Sequence, residues 1–210
     1  MTAAAAVGPG GAPASVSWRR ARLDPWVAGL VALGILVRAV YLLTPGLDSD
    51  RAVVGLMARH ILQGEFPLFF WGQAYGGTLE AHLAAVLFSL LGSSRLALAL
   101  SPLLFSVAFL LLLYVLARDA FGVPAGRLAL LLAAVPPPSL ASHGVTTWGH
   151  YISLLAVGTL VLLLALRASR EPTPRVLWGL GFFAGLAWYV SPQSVLYLAA
   201  DDRNSPAAAR

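Results

Sequence analysis

Long apolar stretches, separated by short groups of charged or turn-forming residues, set the pattern of this chain. Residues 26–43, 96–117, 128–142, 149–166 and 176–200 are each apolar over a length close to that of a bilayer crossing, which needs roughly 20 residues. Arg38 is the single charge inside the first stretch. The third ends in Pro136-Pro137-Pro138, and the fifth is interrupted by Ser191-Pro192-Gln193, where a helix kinks or stops. A sixth segment, Leu79–Leu91, is apolar but short, and it carries Glu80 and His82. Residues 50–62 are compatible with an amphipathic helix with an apolar stripe of Val53, Val54, Met57, Ile61 and Leu62, ended by Gly64 and Pro67. The pattern predicts an all-α, polytopic transmembrane helix bundle of about five spans with juxtamembrane helices on its outer face.

Composition agrees. Hydrophobic residues make up 59% of the chain and charged residues 11%, with a mean hydropathy of +0.79. A water-facing domain carries about a quarter charged residues, so lipid is the solvent this sequence suits. There are no cysteines, which excludes disulfides, thiolate metal sites and cysteine nucleophiles. All 14 basic residues are Arg. That bias, with abundant Ala, Gly and Pro, points to a GC-rich, bacterial genome. The Arg residues lie mostly at helix ends, which fits membrane topology better than nucleic-acid binding.

Positive charge also sets the topology, because Arg-rich loops stay in the cytoplasm. With Leu79–Leu91 lying on the membrane, the inner side holds Arg19, Arg20, Arg22, Arg118, Arg127, Arg167, Arg170 and Arg175, and the outer side only Arg51, Arg59 and Arg95. With that segment crossing, Arg19, Arg20, Arg22 and Arg95 alone are inside. The first arrangement is favoured, so Leu79–Leu91 is read as an outer-face interfacial or re-entrant helix. The expected organisation is a disordered cytoplasmic N-terminus over residues 1–25, a membrane module over 26–200 and a polar tail over 201–210. The module sits in the plasma membrane, in contact with its lipids, with a long outer loop over residues 44–95 and a second one over 136–150.

The long outer loop carries Asp48, Asp50, Glu65 and Glu80 of the nine acidic residues. Asp48-Ser49-Asp50 follows the first span directly. Two carboxylates one residue apart can share a divalent cation or divide acid–base and positioning roles; as a plain alternative they cap the next helix. In the second outer loop His143 and His150 can bind phosphate or relay protons, or simply hydrogen-bond at headgroup level. Arg38 can meet a lipid phosphate, pair with Asp48 or Asp50, or snorkel to the surface.

The order of these features resembles the GT-C glycosyltransferases, in particular the protein mannosyltransferase-like and aminoarabinose transferase-like branch (glycosyltransferase family 39-like). The resemblance runs from about Trp26 onward. It rests on a first span followed by Asp48 and Asp50, a helix ending Ile61-Leu62-Gln63-Gly64, and the aromatic–Gly segment around Tyr75-Gly76-Gly77. It continues with a short helix closing in Leu91-Gly92-Ser93, then Arg95, and Ala117-Arg118-Asp119-Ala120-Phe121-Gly122 at the end of the next span. The resemblance implies transfer of a sugar from a polyprenyl-phosphate donor to an acceptor at the outer face. In that role Asp48 or Asp50 is the base, while Arg51, Arg59, Arg95, Glu80, His143 and His150 are substrate-binding candidates. Any divalent metal ion would sit at Asp48 and Asp50; no other cofactor is implied. The second outer loop departs from the family in having no acidic residue. GT-C enzymes have more spans than five, so the chain reads as an N-terminal fragment, with an inactive fragment as one alternative and a non-enzymatic transporter or assembly subunit as another. Thiols introduced singly at Asp50, Leu79 and Thr146 are expected to react with an impermeant reagent from outside intact cells, and one near Arg170 is not; labelling there would overturn the topology.

Overall fold

A computed structural model of the protein describes residues 24–42 and 48–202. The expectations for residues 1–23 and 203–210 lie outside the described residues. Among those described, the chain is all-helical: α1 Pro25–Leu42, α2 Ser49–Leu62, α3 Leu79–Leu91, α4 Arg95–Phe121, α5 Val123–Ala134, α6 Pro138–His143, α7 Tyr151–Arg170, α8 Pro174–Val190, a 3₁₀ turn Pro192–Ser194 and α9 Val195–Asp202. Helices α1, α4 and α7 are long and apolar enough to cross a membrane, which makes this a multi-pass membrane protein. The helices α3 and α5 are apolar but shorter. At 1.5 Å per residue α5 measures about 18 Å, well short of a hydrocarbon core of about 30 Å.

Two predicted spans are therefore each divided. The helix expected over 128–142 stops at Ala134, because the prolines that follow supply no N–H and exclude the helical conformation for the residue before them. The chain resumes as the short α6. The stretch 176–200 breaks at Ser191, whose side chain accepts from the Gln193 N–H at 3.3 Å, so that α9 becomes a separate piece. The short α3 has the bounds that its apolar run implies, and Gly92 closes it at φ +79°.

The long helices alternate in direction. At one end of the bundle Asp24, just before α1, pairs with Arg127 of α5 at 2.7 Å. Asp119 of α4 there joins Arg118 and Arg167 of α7, at 2.7 and 3.3 Å. The other end gathers the start of α4, the end of α5, the start of α7 and the end of α8. Helices α2 and α3 pack on that end around Val54, Met57, Ala58, Ala84, Ala85, Phe88 and Leu98. A second cluster, with Leu110, Tyr114, Leu130 and Ala133, joins α1, α4 and α5. Alanines at these contacts let backbones approach closely, which matters where lipid leaves packing as the main force between helices. The outward face of α8 presents Trp178, Phe182 and Trp188.

Arg38 neither snorkels nor meets Asp48 or Asp50. It is 0% exposed, with Nε on the Ser106 hydroxyl at 2.5 Å, Nη1 on the carbonyls of Gly34 and Ala134 at 3.0 and 3.4 Å, and Nη2 on the carbonyl of Ala133 at 3.1 Å. The guanidinium thus caps the C-terminus of α5, where unpaired carbonyls and the negative end of the helix dipole would otherwise be left without a donor. Gly144 lies against it: a Cβ there would come within 2.7 Å of Nε. Arg38→Met is expected to cost about 3 kcal/mol, since a buried hydrogen bond to a charged group is worth about 1.5–3 kcal/mol; thermal unfolding in detergent measures it, and an unchanged midpoint would refute the capping role.

Candidate functional site

The two acidic residues of Asp48-Ser49-Asp50 have different surroundings. Asp48 is the N-cap of α2: Oδ1 accepts from the Arg51 N–H at 2.8 Å, while Oδ2 accepts from the indole Nε1 of Trp148 at 2.6 Å. Asp50 sits in the first turn of α2 and faces a cleft of about 310 Å³. The plain capping reading holds for Asp48, and Asp50 is the carboxylate available to a ligand. Arg51 turns to Thr146, with Nη2 2.5 Å from its hydroxyl. The Asp48–Trp148 and Arg51–Thr146 bonds together fasten the start of α2 to the loop over residues 136–150, about a hundred residues away in sequence.

The cleft has aromatic walls and a polar rim. Phe70, Tyr75, Trp148 and Tyr151 line it together with Gln73, His150, Gln193 and Asp50. Asp50 is the only formal charge among these lining residues. Beside the cleft runs a more apolar hollow of about 280 Å³ bounded by Leu140, His143, Leu154, Leu155, Leu196 and Tyr197. Tyr151 and Gln193 line both, so the two hollows adjoin.

The segment 68–78 forms one wall because it is tied to α8. Tyr189 donates its hydroxyl to the Leu68 carbonyl at 2.8 Å and meets the Thr78 hydroxyl at 2.9 Å, while the Gly77 N–H reaches the Val190 carbonyl at 3.0 Å. Gly77 has no room for a side chain, since a Cβ would lie 2.7 Å from the Tyr189 ring. Its neighbour Gly76 adopts φ +88°, a conformation that favours glycine. The Tyr75-Gly76-Gly77 run is therefore a docking element.

Glu80 begins α3 and is buried, 1% exposed. Its Oε1 accepts from Ser153 at 2.9 Å, its backbone carbonyl accepts from Ser101 at 2.9 Å, and Oε2 has no partner. It lines neither hollow; it joins α3 to α4 and α7. Burial raises its carboxyl to about 7, against the smaller opposing effect of the Ser153 bonds. Arg59 donates to the Ser93 hydroxyl at 2.9 Å and Arg95 opens α4 at the surface; neither lines a hollow, so none of the three Arg candidates does. His143 and His150 are brought in, one to each hollow. Trp148 packs edge-on against His143 at 4.3 Å, and Tyr151 stacks on His150 at 5.1 Å. Burial pushes the His150 imidazole below its usual value.

Gln73, Gln193 and the ring set Phe70, Tyr75, Trp148 and Tyr151 were not among the site candidates read from the sequence. The aromatic run 69–75 reads equally well as a headgroup anchor, and Gln193 reads only as part of a helix break. For a divalent cation the donor set does not fit. Among the described residues no three acidic or His side chains converge, and N–H donors already point at both oxygens of Asp48.

The Glu80 assignment has a pH signature. A carboxyl whose folded-state value is raised above 4.5 to about 7 keeps its stabilisation below the lower value and loses it as pH rises through the upper one. Thermal stability in detergent is expected to fall over that window in the parent protein and to stay level in Glu80→Gln, which preserves the acceptor for Ser153. Equal slopes in the two would place Glu80 elsewhere.

Comparison with known proteins adds a family. No match to the chain was found among curated proteins or among solved structures. Residues 78–200 match the family described as dolichyl-phosphate-mannose-protein mannosyltransferase. The matched region runs from the N-cap of α3 into α9 and takes in the loop over residues 136–150, with His143 and His150, and Gln193. It begins after Asp48 and Asp50. With more than half of its residues matched, the chain belongs to the dolichyl-phosphate-mannose-protein mannosyltransferase family.

Proposed function

We propose that this protein serves in a membrane glycosyltransferase that moves a sugar from a polyprenyl-phosphate donor to an acceptor hydroxyl at the outer face of the membrane. The observation that carries the reading is the adjoining pair of hollows: an aromatic-walled polar cleft containing one carboxylate, and beside it an apolar one. Sugar rings present C–H faces that pack on aromatic rings and hydroxyls that suit amides such as Gln73 and Gln193. An isoprenoid chain suits the apolar hollow. The phosphate that links them then falls at the shared boundary, near Tyr151 and Gln193.

Asp50 is the base in this scheme. It removes the acceptor proton while the acceptor oxygen bonds to the anomeric carbon, and the bond to the phosphate oxygen breaks with its electron pair leaving on the polyprenyl phosphate. Asp48 holds Trp148 and the start of α2 in place rather than touching the proton. The charge-based topology supports an outer-face site, because both loops gather at the end of the bundle opposite Arg118, Arg127 and Arg167. Five crossings remain our reading, with α5 and α8 completed by the segments that follow their breaks.

With a polyprenyl-phosphate sugar as donor, Asp50→Asn is expected to lower kcat by a factor of about 10²–10⁴, the usual worth of a general base, with the folded protein retained. Asp48→Asn keeps a single carbonyl acceptor for two N–H donors, so a smaller loss of turnover and a lower unfolding temperature are expected. Full activity in Asp50→Asn would reject the scheme.

A further inference from the structure

The two histidines of the second outer loop differ in what faces Nδ1. His143 Nδ1 contacts the Ser139 carbonyl, four residues back in α6. A carbonyl only accepts, so Nδ1 carries a proton. His150 is the reverse case. Its Nδ1 is buried and has no hydrogen-bond partner, and it faces Gly76, where a Cβ would lie 3.2 Å away. An N–H there would point at the C–H of Gly76 with no acceptor to meet, whereas a lone pair meets that C–H as a weak donor. The proton therefore belongs on Nε2. The residue is 7% exposed and its ring lines the cleft; with Nδ1 turned inward, Nε2 is the nitrogen that reaches it.

We propose that His150 is a neutral hydrogen-bond donor, through Nε2–H, to a non-bridging oxygen of the donor phosphate at the boundary between the two hollows. The inference rests on the glycosyltransferase reading for its ligand and on the local packing for its tautomer. His150 stacks on Tyr151, which lines both hollows, so it stands where sugar and chain meet. No guanidinium or ammonium lines either hollow among the described residues. The titratable groups around the ring are Tyr75 and Tyr151, against which it packs, Asp50 in the same cleft, His143 beyond Tyr151, and Glu80 through Ser153, which bridges the Glu80 carboxyl and the His150 carbonyl. A fixed neutral donor meets negative charge as it develops on the leaving phosphate, without itself gaining or losing a proton.

The test uses nitrogen-15 imidazole spectra of the full chain in nanodiscs, with the His150 signals assigned by their loss in His150→Gln. The expected result is a protonated Nε2 and a bare Nδ1 at neutral pH, with the Nε2 signal moving when undecaprenyl phosphate is added. A shift with inorganic phosphate as well assigns recognition to the phosphate group itself; a shift with the lipid alone assigns it to a phosphate delivered on a chain. A protonated Nδ1, an imidazolium, or no response to either probe overturns the proposal. In turnover, His150→Phe keeps a stacking ring and is expected to lower kcat about 100-fold, as removal of one preorganised donor does. His150→Gln, whose amide N–H can stand near Nε2, is expected to restore most of it. Equal rates in the Phe, Gln and parent proteins overturn the catalytic part. A shifted Nε2 signal in a protein that transfers no sugar would uphold the phosphate contact and reject the transferase reading instead.

Discussion

Backbone carbonyls at a helix end need donors, and a bilayer supplies none. The rest of this architecture depends on how that constraint is met at the end of α5. Proline stops the helix at Ala134, and Arg38 from α1 donates to the carbonyls of Ala133 and Ala134. With that end satisfied, the chain can leave the helix early, make the short α6 and lay Gly144 on the guanidinium. The loop beyond then delivers Thr146 and Trp148 to α2, and His143 and His150 to the two hollows. A buried cation that resembles a functional charge is thus the support on which the site is assembled. The desolvation it suffers is offset by four hydrogen bonds and a helix dipole rather than by an acidic partner.

The same loop separates two neighbouring carboxylates by function. A helix that begins at Ser49 needs an acceptor at position 48 for its free N–H groups, and Asp48 supplies it. The spare oxygen of that carboxylate then fixes the Trp148 ring that forms a wall of the cleft. Asp50, two residues further on, is left facing the open space. Local capping chemistry and a single cross-loop hydrogen bond therefore choose which acid can meet a ligand, with no difference in residue type.

Much of the fold is legible along the chain because apolar length and proline are strong local signals. The bounds of α3, the stop before Pro136 and the break at Ser191 all follow from a few adjacent residues. What the sequence hides is pairing over distance. The carbonyls of α5 that hold Arg38 lie 95 and 96 residues away, so its burial could not be told from snorkelling. Glu80 looks like a loop acid near a substrate, yet Ser101 and Ser153 hold it in the interior. Asp48 and Asp50 look equivalent until Trp148 comes into place. The family resemblance did extend to a true membership, over residues 78–200, but the lining amides Gln73 and Gln193 carry no motif that marks them.

The attachment of segment 68–78 to the end of α8 has a mechanical meaning. Phe70, Gln73 and Tyr75 are coupled by Tyr189 and Val190 to the helix that leads into Gln193, so that wall is anchored on α8. Asp50, Trp148 and Tyr151 are coupled through Asp48 and Arg51 to α2 and α7, forming the other wall. At the rim the rings of Tyr75 and His150 meet edge-on across the cleft. The cleft thus has two walls with separate fastenings: a substitution at Tyr189 loosens the first at its root, and one at Asp48 loosens the second.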